Sequence, residues 1–245
     1  MLIHGTLLAE NIYTQLQKDI SLLEIKPTLG AILVGENSPS MRYIRQKRRF
    51  AEQIGMNFVL RCFPEDISQE ALLQEVEKLN HDTNISGYIV QLPLPQHINS
   101  LSIIEHIDPK KDVDGFHPLN QGKMMLGDET ATVPCTPAGV IHILESKNIS
   151  LQGKKVCIIG RSNIVGKPLS VLCINAGATV VSCNSSTPDI SLYTQEADIV
   201  ICAAGKAGLL TADMISKNCI VIDVGFSVIG GKIYGDACTQ KIHAQ

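Results

Sequence analysis

An aromatic ring and a primary amine stand four residues apart near the start of the chain. Tyr43 and Lys47 follow an apolar, strand-like run at residues 29–34 and a turn-rich break, Gly-Glu-Asn-Ser-Pro. Ser40 has a side chain suited to the N-cap of a helix. Positions four apart share one face of a helix, so we expect the ring and the amine to point into the same space.

The predicted helix is also rich in positive charge, because four arginines share its turns: Arg42, Arg45, Arg48 and Arg49. Neighbouring cations and partial burial both disfavour an ammonium ion, so Lys47 is predicted to act as a base near neutral pH. A solvated basic helix face and a nucleic-acid patch are the two alternatives. The nucleic-acid patch is disfavoured, because the run is short and the chain carries a net charge of −3.

Two later stretches place polar side chains where predicted elements end. Gln91 begins Gln-Leu-Pro-Leu-Pro after a predicted strand, and Asp112 and Asp114 lie in Asp-Val-Asp-Gly after a predicted helix. Ligands of parallel α/β sheets sit outside the carboxyl ends of the strands, so Gln91 and the Tyr43 helix belong to one edge. Each residue has a simpler explanation: core packing for Tyr43, a strand-end cap for Gln91 and turn formation for the aspartates.

Composition excludes several classes of protein. The chain has 245 residues, of which 44% are hydrophobic and 18% charged, and this balance supports one or two globular cores. No apolar run approaches the roughly 20 residues of a membrane span, and the first residues lack the zones of a signal peptide. Eight cysteines contain no Cys-x-x-Cys pair and seven histidines show no ligand spacing, so we predict reduced thiols, a cytoplasmic location and no metal.

Alternating strands and helices predict an α/β protein of two domains with parallel sheets and a cleft between them. The first domain is predicted to cover residues 1–137 and to end at a proline-punctuated hinge, Pro-Cys-Thr-Pro. The second domain, residues 138–245, begins with a helix and then resembles a compact Rossmann fold. Its predicted strands lie at residues 154–160, 179–183, 199–203 and 219–224.

A glycine-containing turn follows the first strand of the second domain. Gly160 and Gly166 enclose Arg161 and Ser162, and a helix is predicted to follow. The pattern is not the usual Gly-x-Gly-x-x-Gly, yet strand, tight turn and helix together suit a pyrophosphate at a helix N-terminus. A glycine-rich turn without a ligand is the alternative.

Taken together, the Tyr-x-x-x-Lys pair, Val-Gln-Leu-Pro-Leu-Pro and Lys-Asp-Val-Asp-Gly resemble, in order and spacing, the bifunctional methylenetetrahydrofolate dehydrogenase/cyclohydrolase family. The resemblance runs from the N-terminus to about residue 236. It implies oxidation of 5,10-methylenetetrahydrofolate with NADP, then hydrolysis of the methenyl form to 10-formyltetrahydrofolate, in one-carbon metabolism. It also implies site roles: Lys47 as general acid/base, Tyr43 stacked on the folate, Gln91 hydrogen-bonded to Lys47 to keep it neutral, and Asp114 bound to the pterin.

The resemblance further implies an NADP site and a homodimer formed through the cofactor domain. The expected cofactor residues are Gly160, Arg161, Ser162, Ser185, Phe226 and Thr136. Arg161 with Ser185 can hold a 2′-phosphate, which favours NADP over NAD. The sequence departs from the family at Asn184, where histidine is common, and at Ser186, where arginine is common.

The last residues match neither the Gly/Pro-rich loop nor the final helix that this family has beyond residue 236. We therefore expect both sites in outline, with reduced or lost activity. One alternative is a non-catalytic folate- or nucleotide-binding paralogue. The other is a different two-domain NADP-dependent dehydrogenase, such as a shikimate-type enzyme.

Overall fold

The computed structural model describes Ile3, residues 5–238 and Ile242. Its contacts group the chain into two compact units, Gly5–Asn120 and a second that runs from Gln121 onward. The second unit thus begins before residue 137, where the sequence reading placed the boundary.

The first unit contains a three-stranded parallel sheet of order β2-β1-β3. Its strands are β1 (Thr28–Val34), β2 (Asn57–Phe63) and β3 (Gly87–Val90), and its helices are α1 (Gly5–Ser21), α2 (Ser38–Gln53), α3 (Gln69–His81) and α4 (Ser100–His106). Side chains of β1 alternate between two apolar clusters, with Ala31 and Leu33 beside Ile44 of α2, and Ile32 and Val34 on the α3 side. α2 is therefore fixed against the sheet whose edge was predicted to hold the ligand.

The start of α2 differs from the sequence prediction. Asn37, rather than Ser40, is the N-cap, and its side chain accepts a hydrogen bond from the Ser40 backbone N–H at 3.3 Å. Pro39 lies in the first turn, where the missing proline N–H costs no intrahelical hydrogen bond. The helix can therefore begin earlier, and the Tyr43 and Lys47 positions keep their shared face.

The second unit contains a four-stranded parallel sheet of order β5-β4-β6-β7. The elements from the junction onward are α5 (Pro118–Met125), α6 (Cys135–Ser146), β4 (Lys155–Ile159), α7 (Gly166–Asn175), β5 (Thr179–Cys183), α8 (Ser191–Thr194), β6 (Ile199–Cys202), β7 (Ile220–Asp223) and the antiparallel hairpin β8 (Phe226–Ile229) and β9 (Lys232–Gly235). Val156 and Ile158 of β4 join the cluster that includes α6 and α7, whereas Cys157 and Ile159 join the cluster on the opposite face. Every strand predicted from the sequence is present, with slightly shifted ends.

Residues 135–137 of the predicted proline hinge belong to the first turn of a helix. Pro134 is the N-cap residue of α6, and the helix begins at Cys135, so Pro137 lies in its first turn. Proline is tolerated there because first-turn N–H groups have no intrahelical partner. In the part of the chain that the structure describes, no helix is long and apolar enough to cross a membrane, and no group of three or more His, Cys, Asp or Glu side chains is arranged to hold a metal ion.

Candidate active site

The amine of Lys47 faces a carboxylate of the Asp-Val-Asp-Gly stretch. Lys47 Nζ lies 4.0 Å from Asp114 Oδ1, and the two side chains are 37% and 21% exposed. This distance exceeds a hydrogen bond, so the contact is Coulombic. Tyr43 lies one turn earlier on α2 and is 45% exposed. The structure thus brings Lys47 and Asp114 together, with the ring of Tyr43 on the same helix face.

Asp114 is placed by Asp112, which is almost completely buried. Asp112 Oδ1 accepts a hydrogen bond from the Phe116 N–H at 3.3 Å, and Oδ2 accepts from the His117 N–H and from Asn120 Nδ2, both at 2.9 Å. The segment also forms a parallel bridge, Tyr88 to Asp112, that continues the β3 edge. Asp112 is therefore a structural residue, and Asp114 is the aspartate left to face Lys47.

Lys111 anchors the same stretch from the other side. Its Nζ donates to the backbone oxygens of Leu79 at 2.8 Å and Asp82 at 2.7 Å, at the C-terminal end of α3. A lysine at this place satisfies carbonyls that have no intrahelical partner and favours the negative end of the helix dipole. Lys-Asp-Val-Asp-Gly is therefore held at two points before the chain reaches Asp114.

The environment of Asp114 perturbs its acidity. Burial raises the pKa of this carboxyl above its ordinary value, the positive charge of Lys47 lowers the pKa, and the negative charge of Asp112 raises it. A carboxylate that is desolvated yet beside a cation is a frequent feature of ligand sites.

Gln91 does not make the hydrogen bond predicted for it. Its backbone N–H continues the sheet by donating to Ile32 O at 2.9 Å, and its side-chain Nε2 donates to Leu92 O at 2.7 Å. A carbonyl can only accept, so the amide must face it through Nε2. Oε1 is consequently buried without a hydrogen-bond partner among the described residues. The predicted bond from Gln91 to Lys47 is therefore wrong for this structure, and an unsatisfied acceptor stands at the end of β3.

Two of the four arginines on α2 contact aromatic rings. The Arg48 guanidinium lies 5.3 Å from the Phe58 ring centre, and that of Arg49 lies 4.9 Å from the Phe50 ring centre. Such contacts hold the cations on aromatic faces. The carboxylate of Asp114, rather than these two arginines, is the charged group that the structure places beside Lys47.

A cavity of about 970 Å³ lies along a different face of α2. Among the described residues that line it are Gly35, Arg42, Arg45, Cys62 and Glu65, and the lining includes none of the predicted catalytic residues. Arg42 and Arg45 lie on another side of the helix from Tyr43 and Lys47. The chemistry of the candidate site therefore does not follow from cavity size.

In the second unit, the two glycines after β4 are required by close backbone approaches. Gly160 has φ +130°, and a Cβ there would overlap the carbonyl oxygen of Ala203. A Cβ at Gly166 would overlap the carbonyl oxygen of Gly160. Only glycine allows both approaches, so the departure from Gly-x-Gly-x-x-Gly still gives a tight turn and a closely packed helix.

Ser162 organises the start of α7. Its hydroxyl accepts from the Val165 N–H at 3.2 Å and lies 3.5 Å from the Gly166 N–H. Pro168 follows in the first turn, where its missing N–H is harmless. Arg161 and Ser162 are exposed in front of this helix N-terminus. The turn therefore presents a cation and a hydroxyl where an anion is favoured.

The remaining cofactor candidates lie on three other elements. Ser185 is exposed in the turn after β5, and Phe226 begins β8 after the end of β7. Carboxyl ends of parallel strands share one edge, so these residues and the Gly160 turn lie along the same edge. Thr136 lies in the first turn of α6. Its proximity to the others stays a prediction.

Fold and site together define a class of protein: an α/β enzyme with a lysine–carboxylate site in one unit and a dinucleotide-binding Rossmann-type sheet in the other. Two family models match this chain. The model "Tetrahydrofolate dehydrogenase/cyclohydrolase, catalytic domain" matches residues 3–114, and the model "Tetrahydrofolate dehydrogenase/cyclohydrolase, NAD(P)-binding domain" matches residues 134–245. The chain belongs to the tetrahydrofolate dehydrogenase/cyclohydrolase family, as the sequence resemblance predicted.

Relatives and solved structures agree with this assignment. The chain is 46% identical over 226 residues to the bifunctional protein FolD of Bacillus licheniformis, covering 91% of this chain and 79% of that protein. It is 44% identical over 245 residues to FolD of Nautilia profundicola, covering 98% and 86%. The crystal structure of FolD from Campylobacter jejuni superposes with a TM-score of 0.97 at 43% identity, over 98% of this chain and 86% of that chain. The Trypanosoma brucei enzyme, complexed with NADP cofactor and an inhibitor, gives 0.95 at 33% identity, over 99% and 86%.

Proposed function

We propose that this chain oxidises 5,10-methylenetetrahydrofolate with NADP and hydrolyses the methenyl product to 10-formyltetrahydrofolate. The carrying observation is the Lys47–Asp114 contact at 4.0 Å, and Gln91 Oε1, buried without a hydrogen-bond partner among the described residues, supports it. One amine, one carboxylate and one amide acceptor are the groups that a cationic, N–H-rich folate intermediate calls for. The proposed reaction belongs to one-carbon metabolism, and we infer that it serves purine, methionine and histidine biosynthesis.

Asp114 is assigned to the pterin ring. Pterin N–H groups are donors that suit a carboxylate, and hydrogen bonds to an ionised acceptor are stronger than neutral ones. Lys47 Nζ stands beyond hydrogen-bond length, at 4.0 Å, so a pterin can take the Asp114 oxygens without breaking a short bond. The exposed ring of Tyr43, one turn away, supplies a face on which the folate can stack.

Lys47 is assigned to proton transfer in the hydrolysis. Water adds to the methenyl carbon of the cation, and one water proton passes to the Lys47 amine. Lys47 then returns this proton to the ring nitrogen as the bond between that nitrogen and the carbon breaks. The remaining hydroxyl proton is lost to solvent as the C=O bond forms, which leaves the formyl group on the other nitrogen. Gln91 Oε1 is the acceptor that can orient the amine or the attacking water, since Nε2 is already held by Leu92 O.

The proposed cofactor residues lie around the turn between β4 and α7. Gly160 and Gly166 allow the close backbone approaches of this turn. A pyrophosphate is assigned to the start of α7, and Arg161 with Ser185 is assigned to the 2′-phosphate of NADP. Phe226 and Thr136 are assigned to the nicotinamide end. NADP, when bound, accepts a hydride from the methylene carbon, and the protein's contribution to that step is orientation. Arg161→Ala should raise the KM for NADP and leave that for NAD nearly unchanged.

Two assays of the purified chain test the proposal: NADPH formation from methylenetetrahydrofolate, and loss of the methenyl form without NADP. We expect both activities, at rates within the ordinary enzyme range of roughly 1–10³ s⁻¹. Absence of both activities from the folded protein would contradict the proposal. Thermal stabilisation by folate and NADP without any turnover would instead favour the non-catalytic binding protein.

A homodimer through the cofactor domain is part of the proposal, in a cytoplasmic protein. The hairpin β8–β9 exposes large apolar side chains: Phe226, Val228, Ile229, Ile233 and Tyr234. Exposed apolar patches of this kind mark interaction surfaces, and the hairpin presents strand edges that a second copy can pair with. Ile233, 74% exposed, is the natural probe. Ile233→Asp should convert a dimer to a monomer in sedimentation, and a wild-type monomer would reject the dimer.

A further inference from the structure

Asp236 is a completely buried carboxylate that the proposed chemistry does not use. It accepts hydrogen bonds from three consecutive backbone N–H groups: Ala204 at 2.7 Å, Gly205 at 2.9 Å and Lys206 at 2.7 Å. These residues form the loop that follows β6. Three converging N–H groups make an anion-binding concavity, and here the chain's own carboxylate fills it. The conformation of the loop is therefore tied to Asp236.

Asp223 holds the segment that carries Asp236. Its Oδ1 accepts from the Asp236 N–H at 3.1 Å, and its Oδ2 accepts from the Ala237 N–H at 3.0 Å. Asp223 is the last residue of β7, and Asp236 directly follows β9. The two aspartates therefore link the ends of β7 and β9 to the loop after β6.

Two glycines make room for these carboxylates in a reciprocal arrangement. A Cβ at Gly225 would overlap Asp236 Oδ2, and a Cβ at Gly235 would overlap Asp223 Oδ2. Each glycine lies within two residues of one aspartate and against the other. A carboxylate packed directly against the backbone restricts the movement of that backbone, because close-packed protein leaves little free volume. The position of Gly225, and so of the adjacent Phe226, depends on Asp236.

The tied loop forms part of the edge assigned to the dinucleotide. A Cβ on Gly160 would overlap Ala203 O, so the loop after β6 lies directly against the proposed phosphate-binding turn. Ser227 adds a second tie by donating to Gly205 O at 2.9 Å. Backbone N–H and carbonyl groups of the loop are thus both fixed at the carboxyl edge of the sheet, where cofactors of such folds bind.

We propose that Asp236, held by Asp223, is a positioning residue for NADP. It fixes the backbone of residues 204–206 and, through Gly225, the start of the β8–β9 hairpin, so that this side of the cofactor site is formed before NADP arrives. Pre-formed sites bind more tightly because no ordering cost is left for the ligand. The inference rests on the proposed assignment of NADP to this domain.

The test compares Asp236→Asn with Asp198→Asn as a matched control. Asp198 also accepts a backbone N–H, that of Lys155 at 2.8 Å, but it lies just before β6, at the opposite edge of the same sheet. Asparagine at 236 keeps one acceptor oxygen but turns its NH₂ group toward at least one of the three N–H donors, which loses its acceptor. We therefore expect the Kd for NADP, measured by calorimetry, to rise about tenfold or more. NADP-independent hydrolysis of the methenyl form should stay at the parent rate in both variants, and the control should keep the parent Kd.

Ser227→Ala keeps the inference testable if Asp236→Asn does not fold, because Ser227 is only partly buried and its loss leaves both carboxylates in place. It should weaken NADP binding about threefold, the effect of losing one hydrogen bond of modest net strength. Unchanged NADP binding in the folded variants, or a parallel fall in hydrolysis, would overturn the positioning role, and so would a wild-type chain that does not bind NADP. A wild-type chain that binds NADP without turnover would reject the proposed function alone and leave the Kd comparison valid.

Discussion

Replacing Asp114 by asparagine should weaken folate binding strongly while changing the stability of the fold little. The Lys47–Asp114 pair is separated by 4.0 Å with side chains 37% and 21% exposed, so it stabilises the fold by at most about 1 kcal/mol. Desolvation of the Asp114 carboxylate acts in the opposite direction. We therefore expect the free energy of unfolding of Asp114→Asn to stay within about 1 kcal/mol of the parent value.

The effect on folate should be much larger. Hydrogen bonds from pterin N–H groups to an ionised carboxylate contribute about 1.5–3 kcal/mol. Their loss corresponds to an increase in the KM for folate of roughly 10- to 150-fold. The KM for NADP should not change, because the proposed cofactor residues are on other elements.

Asp112→Asn is the matched control, two positions away in the same stretch. Asparagine keeps one acceptor oxygen but turns an NH₂ group toward the donors now held by Asp112 Oδ2, the His117 N–H and Asn120 Nδ2. Leaving such buried donors unsatisfied costs about 1–3 kcal/mol. Asp112→Asn should therefore unfold at lower urea concentration.

Urea unfolding and folate-dependent kinetics of the two variants are the measurements. The assignment fails if Asp114→Asn loses stability with its folate KM intact, or if Asp112→Asn keeps full stability.

Three further outcomes are expected. Lys47→Met should lower the hydrolysis rate by about 10²–10⁴-fold while folate still binds, and hydrolysis at the parent rate would refute the role of Lys47. Folate affinity should fall as the pH drops through the raised pKa of Asp114, and in Lys47→Met this fall should occur at higher pH, because the cation that lowers the pKa is gone. The folded state binds the Asp114 proton more tightly than the unfolded chain does. The contribution of Asp114 to stability should therefore decrease as the pH rises through the same range. Gly166→Ala, whose Cβ would overlap Gly160 O, should abolish NADP binding with hydrolysis retained, as paired calorimetry and kinetics would show.

Much of the architecture was predictable from local patterns. Apolar runs bounded by turns marked the strands, and four-residue spacing placed Tyr43 and Lys47 on one face of α2. The family resemblance and the α/β class are confirmed. These features depend on residues near one another in sequence, which is why a single chain reveals them. The β8–β9 hairpin and α5 were missed, because short elements carry little periodicity.

Long-range contacts account for what the sequence could not show. Asn37 displaced Ser40 as the cap because Pro39 fits the first turn, and Gln91 turned to Leu92 O rather than to Lys47. The N–H groups bound by Asp236 lie some 30 residues earlier in the chain, a pairing that no local pattern encodes. The sequence does show a glycine, Gly235, next to Asp236. The reason that this position requires glycine is visible only in the structure, where a Cβ would overlap the Asp223 carboxylate.

Hydrogen-bond satisfaction separates the structural polar groups of this chain from those left for ligands. Asp112 and Asp236 are buried, and each accepts three hydrogen bonds from neighbouring protein groups. Their hydrogen bonds therefore stabilise loops of the fold. Gln91 Oε1 is buried with no partner among the described residues, and Asp114 meets its cation beyond hydrogen-bond length. An unsatisfied buried acceptor costs about 1–3 kcal/mol, so its presence at a strand end calls for an incoming donor. Without the family resemblance, turn position gives the two aspartates of Asp-Val-Asp-Gly equal standing. This criterion assigns Asp112 to the fold and leaves Asp114 as the proposed folate ligand.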